Sequence, residues 1–152
     1  MSDEYFSIVR LIERLHRHFL DVLRIELRCL GIGDINAVQA LLLFNIGEAE
    51  VVIRDLKDRG YYQGSNVSYN IKKLTECGYL AQERSPHDGR AVVLRLTEQG
   101  LKLRAGIHDL QTHLAILLRQ NPGLETDLQA SSVALSQLER TWTDYVRYGR
   151  KR

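Results

Sequence analysis

Residues 65–95 concentrate side chains suited to holding nucleic acid rather than to making or breaking bonds. Ser65, Asn66, Ser68, Tyr69, Lys72 and Lys73 bring hydroxyls, an amide, a phenol and two cations into one short stretch. Such groups reach base edges and phosphates in a major groove about 12 Å wide. Arg84 and Arg90 bracket Pro86-His87-Asp88-Gly89. An arginine held at a narrow tip can enter the minor groove, where phosphates on both sides concentrate negative potential. Asp88, two residues before Arg90, is placed to orient that guanidinium through a charge-assisted hydrogen bond. Taken singly, each feature has a plainer account: a solvated helix face for the first group, good turn chemistry for Asp88-Gly89.

Other chemistries find less support. His16, His18, His108 and His113 include no i, i+4 pair that would set two imidazoles on one helix face, so no metal site is expected. Cys29 and Cys77 have neither CxxC nor Cys/His spacing and cannot form a disulfide framework. A reactive thiol needs an accessible, electropositive setting. Arg28 adjoins Cys29, whereas Cys77 reads as a buried filler at a helix end. No nucleophile elbow, P-loop, Rossmann glycine pattern or HExxH is present, so neither catalysis nor a cofactor is expected.

Periodicity supplies the elements that must position these groups. Ile8, Ile12, Leu15, Phe19, Val22, Leu23, Leu27 and Leu30 recur near every 3.6 residues and predict a long amphipathic helix over 5–30. Asp34 is a fitting N-cap for a mostly buried helix over 35–46, and a short helix over 50–57 follows. After a turn-rich, aromatic link at 58–64, Ser65 is expected to cap a helix to Cys77, with Gly78 as its C′ residue. Val67, Ile71 and Leu74 share the buried face of that helix, and Ser65, Tyr69, Lys72 and Glu76 lie opposite. Segments 79–85 and 90–97, alternating about Asp88-Gly89, predict a β-hairpin. Helices over 98–119 and 124–146, separated by Asn121-Pro122-Gly123, complete the chain before a basic tail.

Helix, turn, helix and hairpin in this order describe a winged helix-turn-helix, and the sequence here resembles the MarR-type transcriptional regulators. The resemblance rests on Asn66-Val67 and Leu74, on Cys77-Gly78-Tyr79-Leu80, and above all on the stretch Asp88-Gly89-Arg90-Ala91-Val92-Val93-Leu94-Arg95-Leu96-Thr97-Glu98-Gln99-Gly100. That stretch matches the family's wing pattern: an Asp and an Arg separated by one residue, then an alternating strand ending Leu-Thr-x-x-Gly. Two departures stand out. Tyr69 occupies a position commonly basic in the family, and the 58–64 link is longer and more aromatic than the usual tight turn.

The resemblance implies a mainly α fold with a small β-hairpin wing: a winged core at 34–97 between dimerisation helices at 1–33 and 98–152. It further implies a homodimer that represses genes until a small aromatic or anionic effector releases the DNA. His16, Phe19, Leu23 and Phe44 are the residues that would wall an effector pocket, although core packing explains the three apolar ones as well. The helix patterns themselves hold more apolar surface than a winged core can cover, which also favours a partner subunit. Leu138, Trp142 and Tyr145 are candidate anchors, with packing inside one chain an equal alternative.

Composition sets the outer limits. The 152 residues amount to one ordinary domain, with 44% hydrophobic and 26% charged residues and only two prolines. No apolar run approaches the roughly 20 residues of a membrane-spanning helix, and the acidic Met1-Ser2-Asp3-Glu4 is unlike a secretory leader, so a cytoplasmic location is expected. The net charge of +2 conceals an asymmetry: residues 54–104 carry ten basic and six acidic side chains, and the remainder is net acidic. The leading expectation is a dimeric, ligand-responsive repressor that binds a pseudo-palindromic double-stranded DNA operator. The alternatives are a winged-helix module for protein interaction without DNA binding, and a cysteine-based redox-sensing regulator.

Overall fold

The computed structural model describes residues 2–58, 64–87, 89 and 91–150. Six helices and three short strands follow one another as α1 (Ser2–Cys29), α2 (Ala37–Ile46), β1 (Val51–Val52), α3 (Ile53–Asp58), α4 (Gly64–Glu76), β2 (Leu80–Arg84), β3 (Val92–Leu96), α5 (Glu98–Arg119) and α6 (Leu124–Tyr148). The protein is thus mainly α with a small antiparallel sheet. Contacts divide it into two compact units, Met1–Leu110 and Gln111–Arg152.

The first unit holds the core. Leu23 and Leu27 near the end of α1 join Ala40, Leu42 and Leu43 of α2, Leu56 of α3, Val67, Ile71 and Leu74 of α4, and Leu94 and Leu96 of β3. Burying a leucine or valine of this kind contributes roughly 1.5–3 kcal/mol. The α4 triad alone therefore fixes which face of that helix looks inward.

Several boundaries differ from the sequence expectations. The cap of α2 is Asn36 rather than Asp34. The Asn36 side chain accepts from the Gln39 backbone N–H at 2.8 Å, while Gln39 Oε1 accepts from the Asn36 N–H at 3.0 Å. This reciprocal capping box satisfies two otherwise orphaned donors, an advantage Asp34 lacks because no Glu or Gln stands three residues beyond it. Asp34 instead accepts a hydrogen bond from the Tyr79 hydroxyl at 3.1 Å. The short third helix begins at Ile53, not at residue 50, because Val51-Val52 pairs with Leu94 and Val93 as a third strand. Helix α4 starts at Gly64, so Ser65 lies inside its first turn instead of capping it. Most of the expected 58–64 link falls outside the described residues.

The hairpin takes the expected place. Leu80 pairs with Leu96 and Arg84 with Val92, and the Ser85 N–H donates to the Ala91 carbonyl at 2.9 Å, leaving a five-residue tip. Strand order is β1-β3-β2, with β3 central.

One junction joins helix, sheet and helix. Gly78 has φ +85° and ends α4 as a Schellman cap: its N–H donates to the Thr75 carbonyl, and the Tyr79 N–H reaches back to that of Leu74. Thr97, at the end of β3, donates its hydroxyl to the Gly78 carbonyl at 2.6 Å and its N–H to the Tyr79 carbonyl at 3.1 Å. Its Oγ1 then accepts the Gly100 N–H at 3.2 Å, so Thr97 also caps α5. Gly100 lies so close to the Tyr79 carbonyl oxygen that any Cβ there would collide with it. The Leu-Thr-x-x-Gly pattern thereby acquires a steric reason.

The second unit contains the end of α5 and the 25-residue α6, which has no buried residue. Leu128, Val133, Leu135, Tyr145, Val146 and Tyr148 are all exposed. Among the described residues, no helix is long and apolar enough to cross a membrane.

Two glycines on α5 make a paired test of the junction. Gly100→Ala must displace backbone, so its urea midpoint is expected to fall by the equivalent of about 1–3 kcal/mol. Gly106→Ala meets only Leu30 Cδ1 at an ordinary 3.4 Å and is expected to be neutral or to stabilise by up to about 1 kcal/mol.

Candidate nucleic-acid interface

Helix α4 separates its two faces cleanly. Val67, Ile71 and Leu74 are buried, whereas Asn66, Ser68, Tyr69, Lys72 and Glu76 are exposed and Lys73 is half-buried. Tyr69 is 64% exposed. Of the α4 residues expected from sequence to face DNA, Asn66, Ser68, Tyr69, Lys72 and Lys73 lie on the side away from the buried triad, and the Ser65 side chain lies outside the described residues. Lys72 Nζ lies 4.0 Å from Glu76 Oε1, so one of the two cations on this face carries its own counter-charge.

The wing is tied to this helix. Thr75 donates its hydroxyl to the Ile71 carbonyl at 2.7 Å and accepts from Gln82 Nε2 of β2 at 2.9 Å. Arg84, the last residue of β2, is exposed. Arg95 is engaged by Glu83 at 2.8 Å, a diagonal pair across the two strands. Asp88 and Arg90 lie outside the described residues, so the expected guanidinium contact at the tip rests on the sequence pattern.

Two further side chains escape the reading from sequence. Gln39, only 3% exposed, donates through Nε2 to Asn70 Oδ1 of α4 at 3.3 Å and so links α2 to the outward-facing helix. The Asn-x-x-Gln capping pattern at 36–39 is the available signal for Gln39. Nothing local marks Asn70. Tyr79 is also deeply placed: burial pushes its phenol above the ordinary value of 10.0, a Gln99 hydrogen bond opposes this, and Asp34 adds to it. The hydroxyl therefore stays protonated at neutral pH and donates to Asp34.

The four expected pocket residues occupy different environments. Leu23 is 1% exposed inside the core, Phe19 and Phe44 pack against that core, and His16 is exposed. The Arg104 guanidinium lies 5.0 Å over the Phe44 ring and 3.2 Å from Glu48. Leu23 is thus a core side chain rather than an open wall. Cys29 is exposed, and Cys77 is half-buried with Sγ 3.8 Å from the Asp34 carbonyl. Among the described residues, no three His, Cys, Asp or Glu side chains gather as metal ligands do.

A helix with a polar outer face, backed by a buried triad and braced by a hairpin, defines a winged helix-turn-helix. Residues 35–100 match the family model described as a winged helix DNA-binding domain. The chain is 38% identical over 145 residues to the exopolysaccharide II synthesis transcriptional activator ExpG of Rhizobium meliloti (strain 1021), covering 95% of this chain and 75% of that protein. The fold is similar to that of a SlyA-like transcription regulator from Listeria monocytogenes (TM-score 0.75, 23% identity, 94% and 95% of the two chains). It is also similar to a MarR transcriptional regulator from Methanosarcina mazei Go1 (TM-score 0.74, 19% identity, 89% and 97%). A third likeness is to Streptococcus pneumoniae FabT in complex with DNA (TM-score 0.71, 22% identity, 92% and 98%). The chain belongs to the MarR-type family of winged-helix regulators and is a DNA-binding transcriptional regulator.

The Lys72–Glu76 pair makes a direct electrostatic test. Both side chains are more than half exposed, so Glu76→Gln is expected to leave stability within about 0.5 kcal/mol. DNA affinity, measured by fluorescence anisotropy, is expected to rise at low salt, with the gain shrinking as salt screens the site. A fall in affinity would instead mark Glu76 as an acceptor for a base donor such as cytosine N4.

Proposed function

We propose that the protein acts as a homodimer whose two α4 helices enter successive major grooves of a pseudo-palindromic operator. In this reading Asn66, Ser68 and Tyr69 meet base edges, while Ser65, Lys72, Lys73 and Arg84 serve phosphates. Arg90, oriented by Asp88, enters the flanking minor groove. The observation that carries the reading is the exposed polar face of α4, rigidly backed by Val67, Ile71 and Leu74 and joined to the wing through Thr75 and Gln82. Two-fold symmetry then sets half-sites about one helical turn, roughly 34 Å, apart.

The winged core would occupy 34–97, with 1–33 and 98–152 serving dimerisation. Support comes from α6, where Leu135, Leu138, Trp142 and Tyr145 follow one another at three- and four-residue steps and Leu128 lies one heptad before Leu135, the spacing of a helix–helix seam, yet none is buried within the chain. On α1, Leu11 and Leu15 are exposed one turn apart and Ile8 and Ile12 beside them are only half-buried, which leaves a second incompletely covered stripe. The 38% identical relative is named an activator, which favours activation over the repression that the family resemblance alone implied. Release by a small aromatic or anionic effector is part of the same reading, with Phe19 and Phe44 as its apolar contacts.

Selecting bound fragments from a genomic DNA pool tests the central reading, and a protein that retains no fragment above background would refute it. On the selected operator, Arg90→Ala is expected to cost about 1–3 kcal/mol of specific binding, while Lys72→Ala weakens all sequences alike and lowers the salt slope by about one. Sedimentation is expected to give twice the 17.5 kDa chain mass. Leu135→Asp, on a helix with no buried residue, is expected to halve that mass at a given concentration while retaining helical circular dichroism.

A further inference from the structure

We infer that Gln39 locks the side-chain amide of Asn70 so that Asn70 meets DNA as a hydrogen-bond donor only. The inference rests on the DNA-facing role of α4 and adds a contact, with a stated polarity, that the outward face alone does not reveal.

The polarity follows from a chain of obligatory partners. The Asn36 backbone N–H can only donate, so the Gln39 carboxamide must turn its oxygen toward it, at 3.0 Å. Gln39 Nε2 then necessarily points the other way, where it donates to Asn70 at 3.3 Å. Asn70 must answer with Oδ1. Its acceptor is thereby committed inward, and its two Nδ2 donors are the groups left for other partners. Gln39 is buried and held at both ends, which makes reversal costly: turning it over would leave a backbone N–H facing an amine.

Asn70 stands where such donors matter. Asn66, Asn70 and Lys73 fall at i, i+4 and i+7 and so share one flank of α4, with Asn66 exposed and the other two half-buried. An unconstrained asparagine reads adenine by offering one donor and one acceptor together. A locked Asn70 has lost the acceptor and cannot make that pair. Its partner must instead be an acceptor alone: a phosphate oxygen, or a base acceptor such as N7 or O6 of guanine or O4 of thymine. Gln39 is therefore a positioning residue that acts through Asn70.

The test is a double-variant cycle on DNA selected from a random pool by the wild-type protein. Asn70→Ala removes the donors and is expected to weaken binding about three- to tenfold. Gln39→Glu offers only acceptors, which turns the Asn70 amide over and aims Oδ1 at the DNA, so binding falls at least as far. Combining the two is expected to bind no worse than Asn70→Ala alone, because without Asn70 the change at position 39 has nothing to act through. Losses that multiply in the double variant would overturn the inference, and so would Asn70→Ala binding like the wild type. If Gln39→Glu does not fold, Gln39→Met runs the same cycle: melting temperature falls in both backgrounds, but DNA preference changes only when Asn70 is present.

A loss confined to fragments with one particular base at one position identifies a base acceptor, and an equal loss on selected and scrambled DNA identifies phosphate. Either result upholds the donor assignment. A wild-type protein that selects no DNA would refute the underlying DNA reading, whereas selection by the wild type with no effect of the variants overturns this inference alone.

Discussion

Two consecutive carbonyls, those of Gly78 and Tyr79, hold the winged unit together. They lie just beyond α4, whose own last carbonyls are met by the Schellman cap, and both accept from Thr97. Thr97 in turn starts α5, and Gly100 leaves no gap above the Tyr79 carbonyl. Helix α4, the wing and the long helix that follows are therefore referenced to one point. Tyr79 extends the same point to the loop before α2 through its bond to Asp34. A local error here would disturb three elements together, whereas an error at the wing tip stays local.

The electrostatics of the reading surface are restrained. Lys72 carries Glu76 beside it, Arg95 is engaged by Glu83, and the exposed centre of α4 is a neutral phenol. Unpaired cations give sequence-independent affinity through counterion release, and pairing them reduces that contribution. What remains on α4 is rich in amides and hydroxyls, groups whose value depends on which base they meet. The surface therefore favours discrimination over indiscriminate attraction, in keeping with a regulator that must ignore most of a genome.

Features determined by near neighbours along the chain are legible in the amino-acid sequence. The spacing of Val67, Ile71 and Leu74 sets the inward face of α4, Gly78 marks its end, and the alternation around Asp88-Gly89 gives the hairpin its place. Features determined by distant partners are not. β1 is two residues long and exists only because β3 passes beside it. Asp34 and Asn36 are both good caps, and the choice between them turns partly on Tyr79, 45 residues away from Asp34. The Gln39–Asn70 bond spans 31 residues, so no window of local pattern contains it. Leu23, which the structure places in the core, shows the converse limit: an apolar residue at helical spacing looks the same from sequence whether it faces a cavity or a packed neighbour.

The clean division of α4 bears on how this protein can change over generations. Its inward residues fix the fold, while Asn66, Ser68 and Tyr69 are exposed and belong to no part of the core cluster. In the proposed reading, substitutions at those three exposed positions would alter what is recognised at little cost to stability, so duplicate copies of such a chain could drift toward new target sequences without first unfolding. Asn70 is the exception on that helix. Bound from behind by a buried glutamine, it can change only in step with a residue 31 positions earlier, and recognition at that position should therefore diverge last.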